Sequence, residues 1–342
     1  MKRIKNIFDK IVDIDNLRAA HYQAKASHKP NRRRRAERYE KNLESNLARL
    51  HSELVNETWQ MHPYRAMIRY ERGKRREIYY SPNHEDSIVQ LAILRVVAPL
   101  MKAHYIRDTY ASIVGRGTSD GVNRIKRFLN SIPKGQSIYI LKCDIQKCYA
   151  SIKHEALKAD ILSFYKDMRA VRLLVCCFAS HFAGIPIGNP ISPLLANLHF
   201  TRLDHIAKEV YRFKGYFRYL DDIVVIDFGA KAKSKLKMFV SVISSYLAER
   251  GLTLKKNVQV FPITRPGGLD FLGLRFSESG VVLRKRTERR FRRAVKRFEE
   301  HSSVHNLASV SSYWGVILRI SRPYRFWHTF FNLNIKQMEA LS

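Results

Sequence analysis

The chain alternates between two hydrophobic periods, and most of its elements can be read from them. From Asn31, in "NRRRRAERYEKNLESNLARLHSELVNETWQ", Tyr39, Leu43, Leu47, Leu50 and Leu54 recur at steps of four, four, three and four, which predicts one helix with a single apolar face. "AMIRYERGKRREIYYSP" alternates apolar and polar residues about Gly73 and predicts a β-hairpin with a basic tip. "SIVQLAILRVVAPLM" is apolar nearly all round, as in a core helix closed by Pro99. "SIYILKCDIQKCYASI" reads as a strand running into a turn, with a helix from about His154, and helical periodicity resumes between Asp160 and Phe182. "AGIPIGNPISPLLANLHF" is a Gly/Pro loop feeding a helix, and "GYFRYLDDIVVIDF" is two strands with a turn at the Asp pair. A helix from about Lys233 to Arg250 precedes the strand-like "GLTLKKNVQVFPI" and "LDFLGLRF". In "ERRFRRAVKRFEEH", Phe291, Ala294, Val295 and Phe298 share one face, while Arg289, Arg290, Arg292, Arg293, Lys296 and Arg297 surround the rest.

Charge changes this picture more than composition does. With 342 residues and 45% hydrophobic content, the chain can bury a substantial core in two or three subdomains. Lys and Arg number 62 against 30 Asp and Glu, a net charge of +32, which points to a polyanion partner and first to nucleic acid. An anionic membrane surface ranks behind, because no run of about 18 apolar residues exists. Arg32 to Arg35 fit either a solvated helix start or a phosphate contact. The N-terminal "MKRIKNIFDKIVDID" lacks the continuous apolar region of a secretory signal, so a cytoplasmic location is expected. Cys143, Cys148, Cys176 and Cys177 form no C-x-x-C pair and no zinc spacing, and read as reduced and mostly buried.

The stretch "FRYLDDIVVID" carries the chemistry. Ile223 to Ile226 reads as a buried strand, which offers no partners to the charges of Asp221 and Asp222 beside it. A third carboxylate, Asp144, ends another strand, and adjacent strands can bring the ends together. Clustered carboxylates repel one another unless a cation neutralises them, and hard oxygen ligands suit Mg²⁺. Alone, the Asp pair would read as a polar β-turn; its surroundings favour a phosphoryl-transfer site.

Those surroundings resemble the reverse transcriptases. "RYLDDIVVI" is similar to their Y-x-D-D signature, and "LKCDIQKCYASI" resembles the block that carries their first catalytic aspartate. "RREIYYSPNHEDSIVQLAI", "DTYASIVGRGTSDGV", "GIPIGNPISPLLANL", "GLTLKKNVQV" and "LDFLGLRF" complete the resemblance in order over roughly residues 60–275. It implies an α+β right hand: a basic helical N-terminal extension over 1–60, fingers and palm with an antiparallel sheet over 61–275, and a short basic helical thumb over 276–342. Asp144, Asp221 and Asp222 become the catalytic carboxylates, holding two Mg²⁺ ions (Mn²⁺ can substitute) with the Ile145 carbonyl as an extra ligand. Tyr149 would lie under the nucleotide sugar and exclude a 2′-hydroxyl by shape. Lys74, Arg75 and Arg76 would contact the triphosphate, and Ile187 and Gly188 the incoming base pair. Tyr110, Arg116, Gly117, Tyr219, Arg289 and Arg293 would contact template and primer, with template RNA, its cDNA and dNTPs as partners.

Within that family, Ile187 stands where many members carry Gln, which resembles the enzymes of diversity-generating retroelements. That likeness implies error-prone copying of a template RNA and a small basic accessory protein. Ser192-Pro193 instead resembles group II intron, retron and antiphage-defence enzymes. The lysine expected after "GLTL" is also displaced: Lys255 and Lys256 come early, and Val258 or Gln259 falls near its usual site. Two other classes remain in view, a non-catalytic RNA-binding scaffold, against which the intact carboxylates argue, and an RNA polymerase of similar palm, which the bulk of Tyr149 disfavours.

Overall fold

A computed structural model describes residues 3–27, 30–71 and 73–330, with the side chains of residues 30–32, 71, 74 and 330 left outside the description. Four helices open the chain: α1 (Phe8–Val12), α2 (Ile14–Ser27), α3 (Pro30–Glu40) and α4 (Leu43–Val55). The single helix expected from Asn31 is therefore two. Asn42 leaves helical geometry at φ −126° and ψ 47°, and the Tyr39 carbonyl accepts there from the Asn42 N–H (3.4 Å) and the Asn46 side-chain amide (2.9 Å). The apolar stripe survives it, since Leu47, Leu50 and Leu54 are buried against α1 and α2.

Strands β1 (Arg65–Glu71) and β2 (Lys74–Tyr80) form the expected hairpin, in the register Arg69 opposite Arg76 and Met67 opposite Ile78. Helix α5 (His84–Lys102) starts at Asn83, whose side chain accepts from the Glu85 N–H. It is not closed by Pro99 but runs one turn past it. Pro99 and Arg95, whose carbonyl is left without its helical partner, are both exposed, so water can take the place of the missing N–H.

Next come β3 (Thr109–Tyr110), α6 (Thr118–Asn130), β4 (Ile138–Asp144), α7 (Cys148–Ser151), α8 (His154–Phe164), α9 (Met168–Ala179) and α10 (Ser192–His205). After a π-helical turn follow β5 (Gly215–Tyr219), β6 (Asp222–Phe228), α11 (Ala232–Ala248) and β7 (Gln259–Pro262). The central sheet has the order β3-β5-β6-β4-β7 and is antiparallel except where β3 joins β5. Its strands alternate between two cores, as period-two strands buried on both faces must. Leu141, Cys143, Tyr216, Ile223 and Val225 belong to a large cluster shared with α1, α2, α4, α5 and α8 to α11. Ile140, Phe217, Val224 and Ile226 belong to a second cluster shared with the elements that follow β7.

Those elements are β8 (Leu269–Phe271), β9 (Leu274–Ser277), β10 (Gly280–Leu283), α12 (Lys285–Glu300), α13 (Val304–Ile317) and α14 (Pro323–Phe330). Strands β8 to β10 form one small sheet in the order β10-β9-β8, so strand structure crosses the expected boundary at residue 275 and the basic helix begins only at Lys285. Phe291, Ala294 and Val295 are the buried face of α12, as its periodicity predicts. Among the described residues, no helix is long and apolar enough to cross a membrane.

Candidate active site

The three carboxylates converge because of strand register. β4 pairs with β6 so that Asp144 lies directly opposite Asp222, and side chains opposite one another in an antiparallel pair share a face. Asp221 occupies the tight turn between Tyr219 and Asp222, and its carbonyl accepts from the Ile145 N–H (3.2 Å), which ties the turn to the end of β4. The first turn residue, Leu220, has φ +54°, a left-handed conformation that costs a non-glycine residue about 1–2 kcal/mol. The turn therefore needs support from outside itself.

Burial makes two of the three carboxylates, Asp221 and Asp222, harder to ionise. It pushes Asp222 up to about 7, with nearby Lys142 opposing and Asp144 and Asp221 adding to the rise. It raises Asp221 too, helped by the proximity of Asp144. Lysines stand in as counter-charges: Lys255 Nζ lies 2.7 Å from Asp144 Oδ2, and Lys142 Nζ lies 3.8 Å from Asp222 Oδ2. Among the described residues no group of three His, Cys, Asp or Glu is preassembled as a cation cage. The donor set nonetheless fits a hard cation, since Asp144 Oδ1 and Asp222 Oδ1 are buried with no hydrogen-bond partner. Sequence pattern does not reveal the place of Lys255, because an antiparallel bridge between Ile145 and Leu254 sets it, and local pattern does not encode such a pairing.

Tyr149 sits on the single turn α7, which Lys147 enters at φ +42°. The ring is half-buried and packs against the large core, and burial raises its phenol. Its carbonyl accepts from Ile185 N–H (2.8 Å), and a Cβ at Gly184 (φ +65°) would stand 2.2 Å from that same oxygen. Glycine is required there. Nothing in the local pattern sets Gly184 apart from Gly188.

Gly188 lies close against the hairpin. At φ +106°, its Cβ would fall 2.4 Å from Ile78 Cγ2 and 3.1 Å from the Tyr79 carbonyl, so it is strand β2 that comes close. Tyr79 N–H donates to the Ile187 carbonyl (2.7 Å), fixing the hairpin to the Gly/Pro loop. The Ile187 side chain is part-exposed there, and Arg75 and Arg76 are exposed on β2; the Lys74 side chain lies outside the described residues.

The expected template contacts divide. Tyr110 is fully buried in β3 beside Tyr219, and its hydroxyl donates to Asp108 (2.8 Å), so it has no surface to offer a template. Arg116 is half-buried and donates to the Ile106 carbonyl (2.8 Å), closing the loop it belongs to. Gly117 is the exposed residue preceding α6, with open space where a Cβ would be. Tyr219 lines a cavity of about 650 Å³ between the sheet and α12, with Asp222, Arg284, Arg286, Arg290 and Arg319. Arg289 and Arg293 are exposed on another ridge of α12 and are not among the lining residues. Successive helical positions turn by about 100°, which carries Arg289 away while Arg286 and Arg290, four apart, stay together. The Arg32 side chain lies outside the described residues; Arg33 pairs with Glu37, and Arg35 donates to the Pro82 carbonyl.

Residues 72–276, more than half of the chain, match the family model described as reverse transcriptase (RNA-dependent DNA polymerase). The chain belongs to the reverse transcriptase family. Among curated relatives it is similar to protein YkfC of Escherichia coli strain K12, with 25% identity over 173 residues, 47% of this chain and 45% of that protein. It is also similar to the Escherichia coli retron Ec73 reverse transcriptase, with 25% identity over 220 residues, 60% of this chain and 65% of the relative. The chain thus spans less than two thirds of either. Telomerase from Candida tropicalis bound to a TWJ fragment of telomeric RNA superposes with a TM-score of 0.54 at 14% identity, covering 86% of this chain and 59% of that one. That likeness is one of fold, and with the antiparallel palm-like sheet it gives the right-hand architecture of the reverse transcriptases.

Proposed function

We propose that this reverse transcriptase family member is an RNA-directed DNA polymerase. The observation that carries the reading is the register that sets Asp144 opposite Asp222, with Asp221 in the adjoining turn and two buried carboxylate oxygens left without partners. Two Mg²⁺ ions held by these carboxylates and the Ile145 carbonyl would lower the pKa of a primer hydroxyl and neutralise the departing pyrophosphate. The protein's own work is placement. Tyr149 presents a ring of fixed shape to the sugar, held through its carbonyl by Ile185. Arg75 and Arg76 offer planar forks to phosphate oxygens. Arg284, Arg286, Arg290 and Arg319 give the cavity beside Asp222 a cationic wall suited to a nucleic-acid backbone. Lys142 and Lys255 hold the charge of the carboxylates until a cation replaces them.

Error-prone copying of a retroelement template RNA, aided by a small basic accessory protein, is the finer reading. Ile187 supports it: an apolar side chain at the loop removes a polar group that could check the incoming nucleotide. A retron-like role is the second reading, favoured by Ser192 and Pro193 at the start of α10 and by the similarity to the retron enzyme.

Primer extension on a defined RNA template with dNTPs and Mg²⁺ tests both levels. Wild-type protein makes DNA, and Asp221→Asn makes none while binding template as tightly, because it removes a metal ligand and no basic residue. Synthesis retained by Asp221→Asn sinks the two-metal assignment. Products dense in substitutions support the retroelement role, and faithful products the retron-like one.

A further inference from the structure

A buried cation in β5 is left unused by the scheme above. Arg218 is fully buried, and it lies on the α10 side of the sheet, whereas Asp222 and Asp144 project to the opposite side with Lys142. Its five N–H groups meet five acceptors. Nε and Nη2 grip Asp204 Oδ1 and Oδ2 at 2.7 Å each. Nη1 donates to Asn197 Oδ1 (3.1 Å), and Nη2 reaches the Asn197 carbonyl (3.5 Å). The fifth bond runs from Nη1 to the carbonyl of Leu220 (3.1 Å).

That last acceptor belongs to the turn between the strands of the catalytic hairpin. Asp204 is itself saturated, since it also accepts from Tyr216 Oη (2.7 Å) and Thr109 Oγ1 (2.9 Å). The guanidinium is consequently fixed to α10 on four sides and lends its remaining donor to Leu220. Leu220 is the left-handed residue of the turn, and the next carbonyl, that of Asp221, accepts from the Ile145 N–H at the end of β4. The carbonyls of both turn residues are thus held, one by the Arg218 guanidinium and one by the backbone at the end of β4. A pair meant only to fill the core needs no charge, because apolar residues of similar volume serve as well.

We infer that Arg218 is a positioning residue for the cation site: locked by Asp204 and Asn197, it sets the Leu220 carbonyl and so the directions of the Asp221 and Asp222 carboxylates. The inference rests on the polymerase reading for its purpose, and on the geometry alone for its mechanism. Support of a ligand from behind is commonly worth about 10–100-fold in metal affinity.

The experiment measures Mn²⁺ binding to the full-length protein by electron paramagnetic resonance, beside thermal unfolding, for wild type, Asp221→Asn and Arg218→Lys. Lysine keeps the charge facing Asp204 but cannot reach Leu220 and Asn197 as well. The expected result is a saturable site lost in Asp221→Asn and weakened about tenfold or more in folded Arg218→Lys. A lowered unfolding temperature with unchanged Mn²⁺ affinity overturns the inference and leaves Arg218 a core residue. Where Arg218→Lys does not fold, the paired Arg218→Met, Asp204→Leu exchange, which leaves no unpaired buried charge, is read in the same way. A wild-type protein with no Mn²⁺ site dependent on Asp221 removes the inference outright. Wild-type protein that makes no DNA but shows the expected Mn²⁺ series overturns the polymerase reading and leaves the positioning role standing.

Discussion

Asp222 is a carboxylic acid that burial makes harder to ionise, even with Lys142 nearby. Burial lifts it to about 7, while an unfolded Asp titrates at about 4. Between those values the native chain binds a proton that the unfolded chain has released, so stability falls as pH rises across that window. With divalent cations chelated, Asp222→Asn should therefore be more stable than wild type at pH about 7.5 and no more stable at pH about 4. Urea midpoints at the two pH values decide it; an equal gain at both would assign the effect to packing, and Mg²⁺ should narrow the difference at the higher pH. Tyr149 carries a second prediction at this scale. Tyr149→Ala removes the ring but not the Ile185 hydrogen bond, which uses the backbone, so the loop stays in place. Ribonucleotide incorporation relative to deoxyribonucleotide should rise by an order of magnitude or more, about 1.4 kcal/mol per tenfold; single-nucleotide extension with each sugar checks it, and unchanged discrimination makes Tyr149 a core aromatic. That Asp144, Asp221 and Asp222 come together is legible in the sequence because each ends or turns a strand, whereas Tyr149 is singled out only by the family resemblance. Arg218, Lys255 and Gly184 are not legible, since each acts on a residue brought near only by the fold: the turn after β5, the end of β4 and the carbonyl of Tyr149.

At the scale of elements, periodicity locates a buried face and is silent about the rest. In α12 it finds Phe291, Ala294 and Val295, but the choice between the Arg289/Arg293 and Arg286/Arg290 ridges depends on how β10 delivers the helix to the sheet. The break at Asn42 shows the same limit: an apolar stripe passes through it unaltered, because the two helices it joins pack on one core. The ridge assignment makes a direct prediction. Arg286→Gln with Arg290→Gln should flatten the dependence of log affinity on log salt for an RNA–DNA duplex by about 0.9 for each phosphate no longer neutralised. Arg289→Gln with Arg293→Gln should change the slope less, although both pairs remove the same formal charge. Fluorescence anisotropy at several salt concentrations compares them, and equal slopes would mean that net charge, not the cavity wall, governs binding.

The whole molecule is two cores divided by one sheet, and this bears on the segment that precedes the family match. Residues before 72 lie outside that match and resemble an added basic extension when read as sequence. In the structure Ile11, Leu17, Leu47 and Leu50 are fully buried, in the same cluster as Val89 and Ile93 of α5 and Val225 of the central sheet. Arg169 ties the far side of this packing, with its guanidinium 3.9 Å from the Phe8 ring centroid and a hydrogen bond to the Val55 carbonyl (2.9 Å). Each large apolar side chain so buried contributes about 1.5–3 kcal/mol. Four of them together approach the whole net stability of an ordinary domain, about 5–15 kcal/mol. Deleting residues 1–60 should accordingly abolish cooperative unfolding and expose apolar surface, not merely weaken RNA binding. Thermal melts and binding of an apolar dye measure both. A truncated chain that still melted sharply within a few degrees of wild type would show the first four helices to be an independent module.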